Sequence, residues 1–153
     1  MATTTKKPGL KLAKEIVNYE KTLIEMILEA KFQYFDLDFN SRNFPSLRQG
    51  VEEIESTLVR IDRWMTTGEV RRMLHHMGLR PAYLKECLAS LINKDVPMPA
   101  WSYVSVAVLG SKWRSHEMTQ IPHIRLSGEE KRMHLVTIDS PWPPGWHFAA
   151  VKL

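Results

Sequence analysis

The stretch that organises the predicted fold is Ile61-Asp-Arg-Trp-Met-Thr-Thr-Gly-Glu-Val-Arg-Arg-Met-Leu74, where one amphipathic segment ends and another begins. Thr66 and Glu69 have the spacing of a capping box, in which the hydroxyl and the carboxylate each accept a hydrogen bond from a backbone amide. This spacing predicts a helix that begins near Thr67. The stretch holds no nucleophile, no paired carboxylates and no group of metal ligands. It therefore indicates an architecture and not a reaction.

The residues before this stretch have the spacing of two further helices. Between residues 10 and 35, apolar side chains recur every three or four positions, which predicts one amphipathic helix. Residues 32–39 either extend it or form a short extended piece. Ser46 and Gln49 repeat the capping-box spacing, and the apolar pattern that follows predicts a second helix over residues 47–65.

The third predicted helix begins at Thr67 and is broken or redirected by Gly78 and Pro81, because proline lacks an amide donor and clashes with the preceding turn. Helical spacing resumes over residues 83–93. Together the three helices predict a mainly α protein built as a three-helix bundle.

The chain changes character after Asp95. Residues 103–109 and 134–138 are rich enough in β-branched side chains to predict short strands, and the prolines of residues 139–146 exclude regular structure there. This extended, irregular tail carries four tryptophans that either fold back over the helices or bind another protein: Trp101, Trp113, Trp142 and Trp146. The predicted organisation is a basic tail at residues 1–9, a three-helix domain at 10–94 and a proline- and tryptophan-bearing extension at 95–153.

Composition is that of an ordinary globular protein, with 44% hydrophobic and 25% charged residues. The net charge is +4, but basic and acidic residues are interspersed almost throughout the chain, which favours a mixed surface over a nucleic-acid-binding one. No apolar run is long enough to predict a membrane span. The single cysteine, Cys87, excludes an internal disulfide and suits a reducing compartment. The basic, acid-free start of the chain suits an import segment or a solvated tail, and no cleaved export signal is expected.

No catalytic, cofactor-binding or metal-binding residue is predicted. His75 and His76 are neighbours on a predicted helix, whereas chelation requires a spacing of three or four. Cys87 has the spacing of a buried apolar residue. Arg71 and Arg72 form either a solvated helix face or a contact for phosphate or an acidic partner. The remaining histidines share no motif: His116, His123, His134 and His147.

The 61–74 stretch resembles the signature Ile-Glu-x-x-Leu-x-x-Gly-Gln-Val-Glu-Glu-Leu-Ile of an accessory subunit family of mitochondrial respiratory complex I, alpha subcomplex subunit five. Tyr19-Glu-Lys-Thr-Leu23 is similar to the family's Tyr-x-Lys-Thr-Leu on its first helix. The resemblance covers about residues 3–93. Arg71 and Arg72 stand where the family has acids, Glu69 replaces its glutamine, and the chain after Asp95 differs from it.

This resemblance implies a non-catalytic structural subunit without a cofactor. Such a protein is peripheral to the mitochondrial inner membrane on its matrix side, has other subunits of the electron-transport complex as partners, and supports assembly and stability. It needs no small-molecule substrate. The first alternative is an RNA-binding or ribosomal structural protein. The second is a small enzyme with a histidine site in the tail, around His116, His123 and Arg125.

Overall fold

The computed structural model describes residues 11–93, 103–128 and 130–153. Within them the chain is mostly β, with one nine-stranded sheet and three short helices, so the predicted mainly α three-helix bundle is wrong. The elements in chain order are β1 Ala13–Asn18, α1 Leu23–Glu29, β2 Tyr34–Phe35, β3 Val51–Arg60, α2 Thr67–His76, β4 Leu79–Pro81, α3 Leu84–Asn93, β5 Tyr103–Ala107, β6 Trp113–Ser115, β7 Met118–Ser127, β8 Glu130–Thr137 and β9 His147–Lys152.

The strands lie in the order β1-β3-β9-β5-β7-β8-β2, with β4 added to β9 and β6 added to β7. β9 lies in the interior of the sheet. It pairs antiparallel with β3 on one side, and on the other it pairs with β5 in parallel and with β4 antiparallel. Strands from both sides of residue 95 therefore share one sheet. The extended, irregular tail predicted after residue 95 is wrong, because β5 to β9 lie there.

Helices cover both faces of this sheet, and each face has its own hydrophobic core. Alternate residues of a strand point to opposite faces, so Ala149 and Val151 of β9 pack in the core beneath α1 and α3. Phe148 and Ala150 point the other way and pack in the core beneath α2. We call these the first face and the second face.

The local helix signals around residue 67 are confirmed. Thr66 caps α2, its hydroxyl accepting from the Glu69 amide at 3.2 Å while the Glu69 carboxylate accepts from the Thr66 amide at 3.0 Å. The predicted helix over residues 83–93 is α3. The strands predicted over 103–109 and 134–138 are also confirmed, as β5 and part of β8.

The long helix predicted over residues 10–35 is wrong. Those residues form β1, the seven-residue α1 and β2. α1 begins after Thr22, whose hydroxyl accepts from the Glu25 amide at 3.1 Å. In β1 the buried positions are Glu15 and Val17, and the Ser90 hydroxyl donates to Glu15. Glu15 is thus a hydrogen-bonded polar residue at a position where the alternating pattern of a strand predicts an apolar one. The pattern in the sequence therefore did not indicate a strand.

The helix predicted over residues 47–65 is wrong as well, because residues 51–60 form β3. Ser46 does not cap a helix; its hydroxyl donates to the Arg48 carbonyl at 2.7 Å. The apolar spacing of this segment matches the helical period, but pairing with β1 and β9 overrides it and places the apolar residues on both faces of a strand.

The proline-rich segment folds back onto the stretch that joins β3 to α2. The backbones of Met65 and Trp142 exchange hydrogen bonds of 3.1 and 2.7 Å, and Ile61 accepts from Gly145 at 2.8 Å. Trp142 is 3% exposed and belongs to the second core, against which Trp146 packs, and Trp113 packs against the first core. These three tryptophans therefore pack against the hydrophobic cores of this chain. Trp101 and residues 1–9 lie outside the described residues.

Among the described residues, no helix has the length and apolarity that crossing a membrane requires.

Candidate functional site

Among the described residues, one part of the second face carries charged and aromatic side chains and has no helix packed on it. Ser105, Arg125, Arg132 and Tyr34 occupy consecutive positions across β5, β7, β8 and β2. Their neighbours Val104, Ile124 and Met133 pack in the first core, so this row points to the second face. We define the tyrosine–arginine face as Tyr34, Tyr103, Arg125, Arg132 and His134.

The side chains of this face are held in place but remain accessible. The Arg125 guanidinium lies 4.7 Å from the centroid of the Tyr103 ring, and Tyr34 stacks on His134 with a centroid separation of 5.0 Å. Tyr34 is 45% exposed and Tyr103 is 55% exposed. Arg132 is also exposed, and its distant ion pair with Glu130, at 3.9 Å, contributes little. The face therefore presents cationic and aromatic groups to solvent.

His123 lies at the border of the face, between His134 and the tryptophans. It is directly opposite His134 in the β7–β8 ladder, and its ring lies 4.4 Å from that of Trp146. Three buried nitrogens here have no hydrogen-bond partner within the described residues: His123 Nε2, His134 Nε2 and Arg125 Nε. Burial, with the positive Arg125 and with His134, lowers the pKa of His123 to about 4. His123 is therefore neutral at pH 7, and its protonation is opposed by the fold.

This lowered pKa predicts that the fold loses stability on mild acidification. The pKa of His123 falls from 6.5 in the unfolded chain to about 4 in the folded one. The neutral ring therefore contributes fully to the stability of the fold above pH 6.5, and this contribution is lost as the pH falls from 6.5 towards 4. Because water reaches part of the ring, we expect a loss of about 1 to 2 kcal/mol. Urea unfolding at pH 7.0 and 5.0 measures it.

The pH effect is tested by removing the titrating ring. His123→Phe is expected to reduce the change in stability between pH 7 and 5 without abolishing it, because burial also lowers the pKa of His147. His75→Gln, at an exposed position on α2, is expected to leave it unchanged. An equal slope in the wild type and His123→Phe would show that other groups cause the acid sensitivity.

The histidine site suggested from sequence is brought together only in part. His123 and Arg125 are two residues apart on β7 and point to the same face. His116 is exposed in the turn between β6 and β7, where its φ is 52°. His134, which no motif connected to His123, is its partner on the neighbouring strand.

The other residues considered from sequence lie away from this face. His75 and His76 are exposed at the end of α2. Cys87 is buried in the first core, where burial raises the pKa of its thiol to about 12, so it is an unreactive apolar residue. Arg71 reaches the Leu109 carbonyl at 3.4 Å, and Arg72 is exposed.

A second polar cluster, buried near the start of α3, is structural. Both oxygens of Glu86, which is 0% exposed, accept from Arg80 at 2.9 and 2.7 Å. They also accept from the Tyr19 hydroxyl at 2.6 Å and the Tyr83 amide at 2.7 Å. Burial acts to raise the pKa of Glu86, but these hydrogen bonds outweigh it and hold the pKa below its ordinary value. A carboxylate that accepts four hydrogen bonds is not available as a general base.

No group of three or more histidine, cysteine, aspartate or glutamate side chains that could hold a metal ion occurs in the part of the chain that the structure describes. The chemistry that the tyrosine–arginine face offers is therefore the binding of anions by guanidinium groups and the stacking of planar groups on aromatic rings.

Tyr34, Tyr103 and Arg132 were not identified from the sequence. Alternation in Ile121, His123 and Arg125 could have placed the latter two on one side of a strand. Their partners depend on the register of β7 with β8 and on the pairing of β2 with β8, which sequence spacing does not encode.

Comparison with known proteins found no matching family model, curated protein or solved structure.

Proposed function

We propose that this chain is a non-catalytic protein that binds nucleic acid on the tyrosine–arginine face. The observation that carries this proposal is a pair of arginines on adjacent strands, Arg132 exposed and Arg125 half-buried, flanked by half-exposed tyrosines. Arginine recognises phosphate oxygens, and aromatic side chains on a sheet surface are a common platform for nucleic-acid bases.

The electrostatics of the row support an anionic ligand. Arg125 and Arg132 are directly opposite each other on β7 and β8, and like charges in that position destabilise a sheet. An anion between them would remove this repulsion. The net charge of +4 adds a general attraction for polyanions.

The complex I assignment stays a prediction, together with its mitochondrial location and partner subunits, because no geometric feature described above bears on it. The histidine enzyme also stays a prediction. His123 and Arg125 point to the same face of β7, but the contacts described for this face include no serine, cysteine or carboxylate bonded to His123.

We expect a fluorescein-labelled 12-residue oligouridylate to bind with marked salt dependence, measured by fluorescence anisotropy. Two phosphate contacts predict a slope of log affinity against log salt near about −1.4, which is roughly a sevenfold loss between 50 and 200 mM salt. Arg125→Ala and Arg132→Ala should each weaken binding about fivefold and reduce the slope by about 0.7.

Arg42→Ala, at an exposed position in the loop before β3, is the matched control and should bind as the wild type does. Undetectable binding at 50 mM salt, or equal losses in all three arginine variants, would overturn the proposal. Equal affinity for a polyglutamate of the same length would assign the face to an acidic protein partner instead.

A further inference from the structure

We infer that the ligand of the tyrosine–arginine face is a single strand, with one base stacked on Tyr34 and another on Tyr103. This inference rests on the proposed function and names its substrate class. Two half-exposed aromatic rings lie on the outer strands of the β5-β7-β8-β2 unit, and both arginines lie on the strands between them.

Each ring is supported on one side by its own partner. Arg125 contacts the Tyr103 ring and His134 stacks on the Tyr34 ring. These contacts restrict the orientation of each ring before a ligand arrives, so less conformational freedom is lost on binding. The exposed part of each ring can accept a nucleobase. On Tyr103 the stack then consists of base, tyrosine and the Arg125 guanidinium, and on Tyr34 it consists of base, tyrosine and the His134 imidazole.

The separation of the rings decides how the strand runs. Three strand spacings separate β5 from β2, or about 14 Å across the sheet. Neighbouring bases of a stacked strand are only about 3.4 Å apart, so a strand that reaches both rings must be unstacked and extended between them. The linking backbone passes over β7 and β8, where Arg125 and Arg132 meet its phosphates.

This arrangement selects against a duplex. Base faces inside a double helix are already stacked on one another and cannot lie on a protein ring, whereas an unpaired strand can present them. Phosphate contacts alone would not discriminate in this way. The tyrosines therefore determine the preference for single strands, and the arginines supply the salt-dependent attraction.

The test compares three ligands of equal length by anisotropy: the 12-residue oligouridylate, a duplex, and a strand of abasic residues. We expect the single strand to bind at least about tenfold more tightly than the other two. Tyr34→Leu and Tyr103→Leu should each weaken single-strand binding about tenfold without changing the salt slope, while Tyr34→Phe and Tyr103→Phe should stay within about twofold of the wild type.

Trp64→Leu is the control for an exposed aromatic outside the face, since Trp64 is 64% exposed, and it should bind as the wild type does. If the leucine variants retain affinity while the arginine variants lose it, the stacking inference is wrong and the proposed function stands. If the abasic strand or the duplex binds as tightly as the oligouridylate, the stacking inference is also wrong and the proposed function stands. Failure of the wild type to bind any of the three overturns both.

Discussion

We expect Glu86→Gln to lower the free energy of unfolding by about 3 kcal/mol. The substitution keeps the shape of the side chain but removes the negative charge that compensates Arg80, whose side chain is 18% exposed. Breaking a buried ion pair by altering one partner typically costs about 3 to 5 kcal/mol, because the other charge is left without compensation. The new amide also places an N–H donor at the position of one carboxylate oxygen. In the wild type these oxygens accept hydrogen bonds from Tyr19, Tyr83 and Arg80. Urea unfolding at pH 7 measures the loss.

Glu29→Gln is the matched control for this prediction. Glu29 and Lys21 form an ion pair at 2.7 Å, the same separation as that between Arg80 and Glu86, but their side chains are 39% and 37% exposed. Solvent screens this pair, so its loss should cost less than about 1 kcal/mol. Equal losses in the two variants would show that burial does not determine the importance of Glu86.

Gly110→Ala should destabilise the protein by about 3 kcal/mol, at the upper end of the usual cost of overpacking. A Cβ atom at residue 110 would lie 2.2 Å from the Ala82 carbonyl oxygen. That oxygen accepts from the Gly110 amide at 3.1 Å, and the Ala82 amide in turn donates to Ala149 of β9 at 2.9 Å. The backbone around Ala82 therefore cannot move away without breaking a bond to the centre of the sheet. Thermal unfolding measures the effect.

The control for the glycine is Gly68→Ala, which has the opposite expected sign. An added Cβ at Gly68 meets no atom within 4 Å, and the residue lies in α2, where alanine is favoured over glycine. We expect a gain of about 0.5 kcal/mol. A loss of stability at Gly68 similar to that at Gly110 would contradict the explanation by close approach.

The parts of the fold that were predicted from sequence are those set by neighbouring residues. Thr66 and Glu69 are three positions apart and form their capping box without help from the rest of the chain. β1 and β3 were predicted as helices because their strand character depends on each other and on β9. Glu15 shows the reason most clearly, since its inward position is stabilised by Ser90 of α3, 75 residues away.

The candidate site was predicted only where its residues share a strand. His123 and Arg125 lie on the same face of β7 and were named with His116 as a possible site, but His116 lies in the turn between β6 and β7. Tyr34 reaches the face because β2 adds to β8, a pairing across nearly a hundred residues. The sequence left open a short extended piece in residues 32–39, but which strand it would join is selected by the whole sheet and leaves no local pattern.

The interior position of β9 has a consequence for synthesis. A ribosome delivers β3 long before β9, so β3 emerges with one side unpaired and must wait for residues 147–152 to join it. During this interval the nascent chain exposes a strand edge of the kind that chaperones protect from aggregation. After release, closure of such distant pairings is slow, and we expect refolding in milliseconds to seconds instead of microseconds.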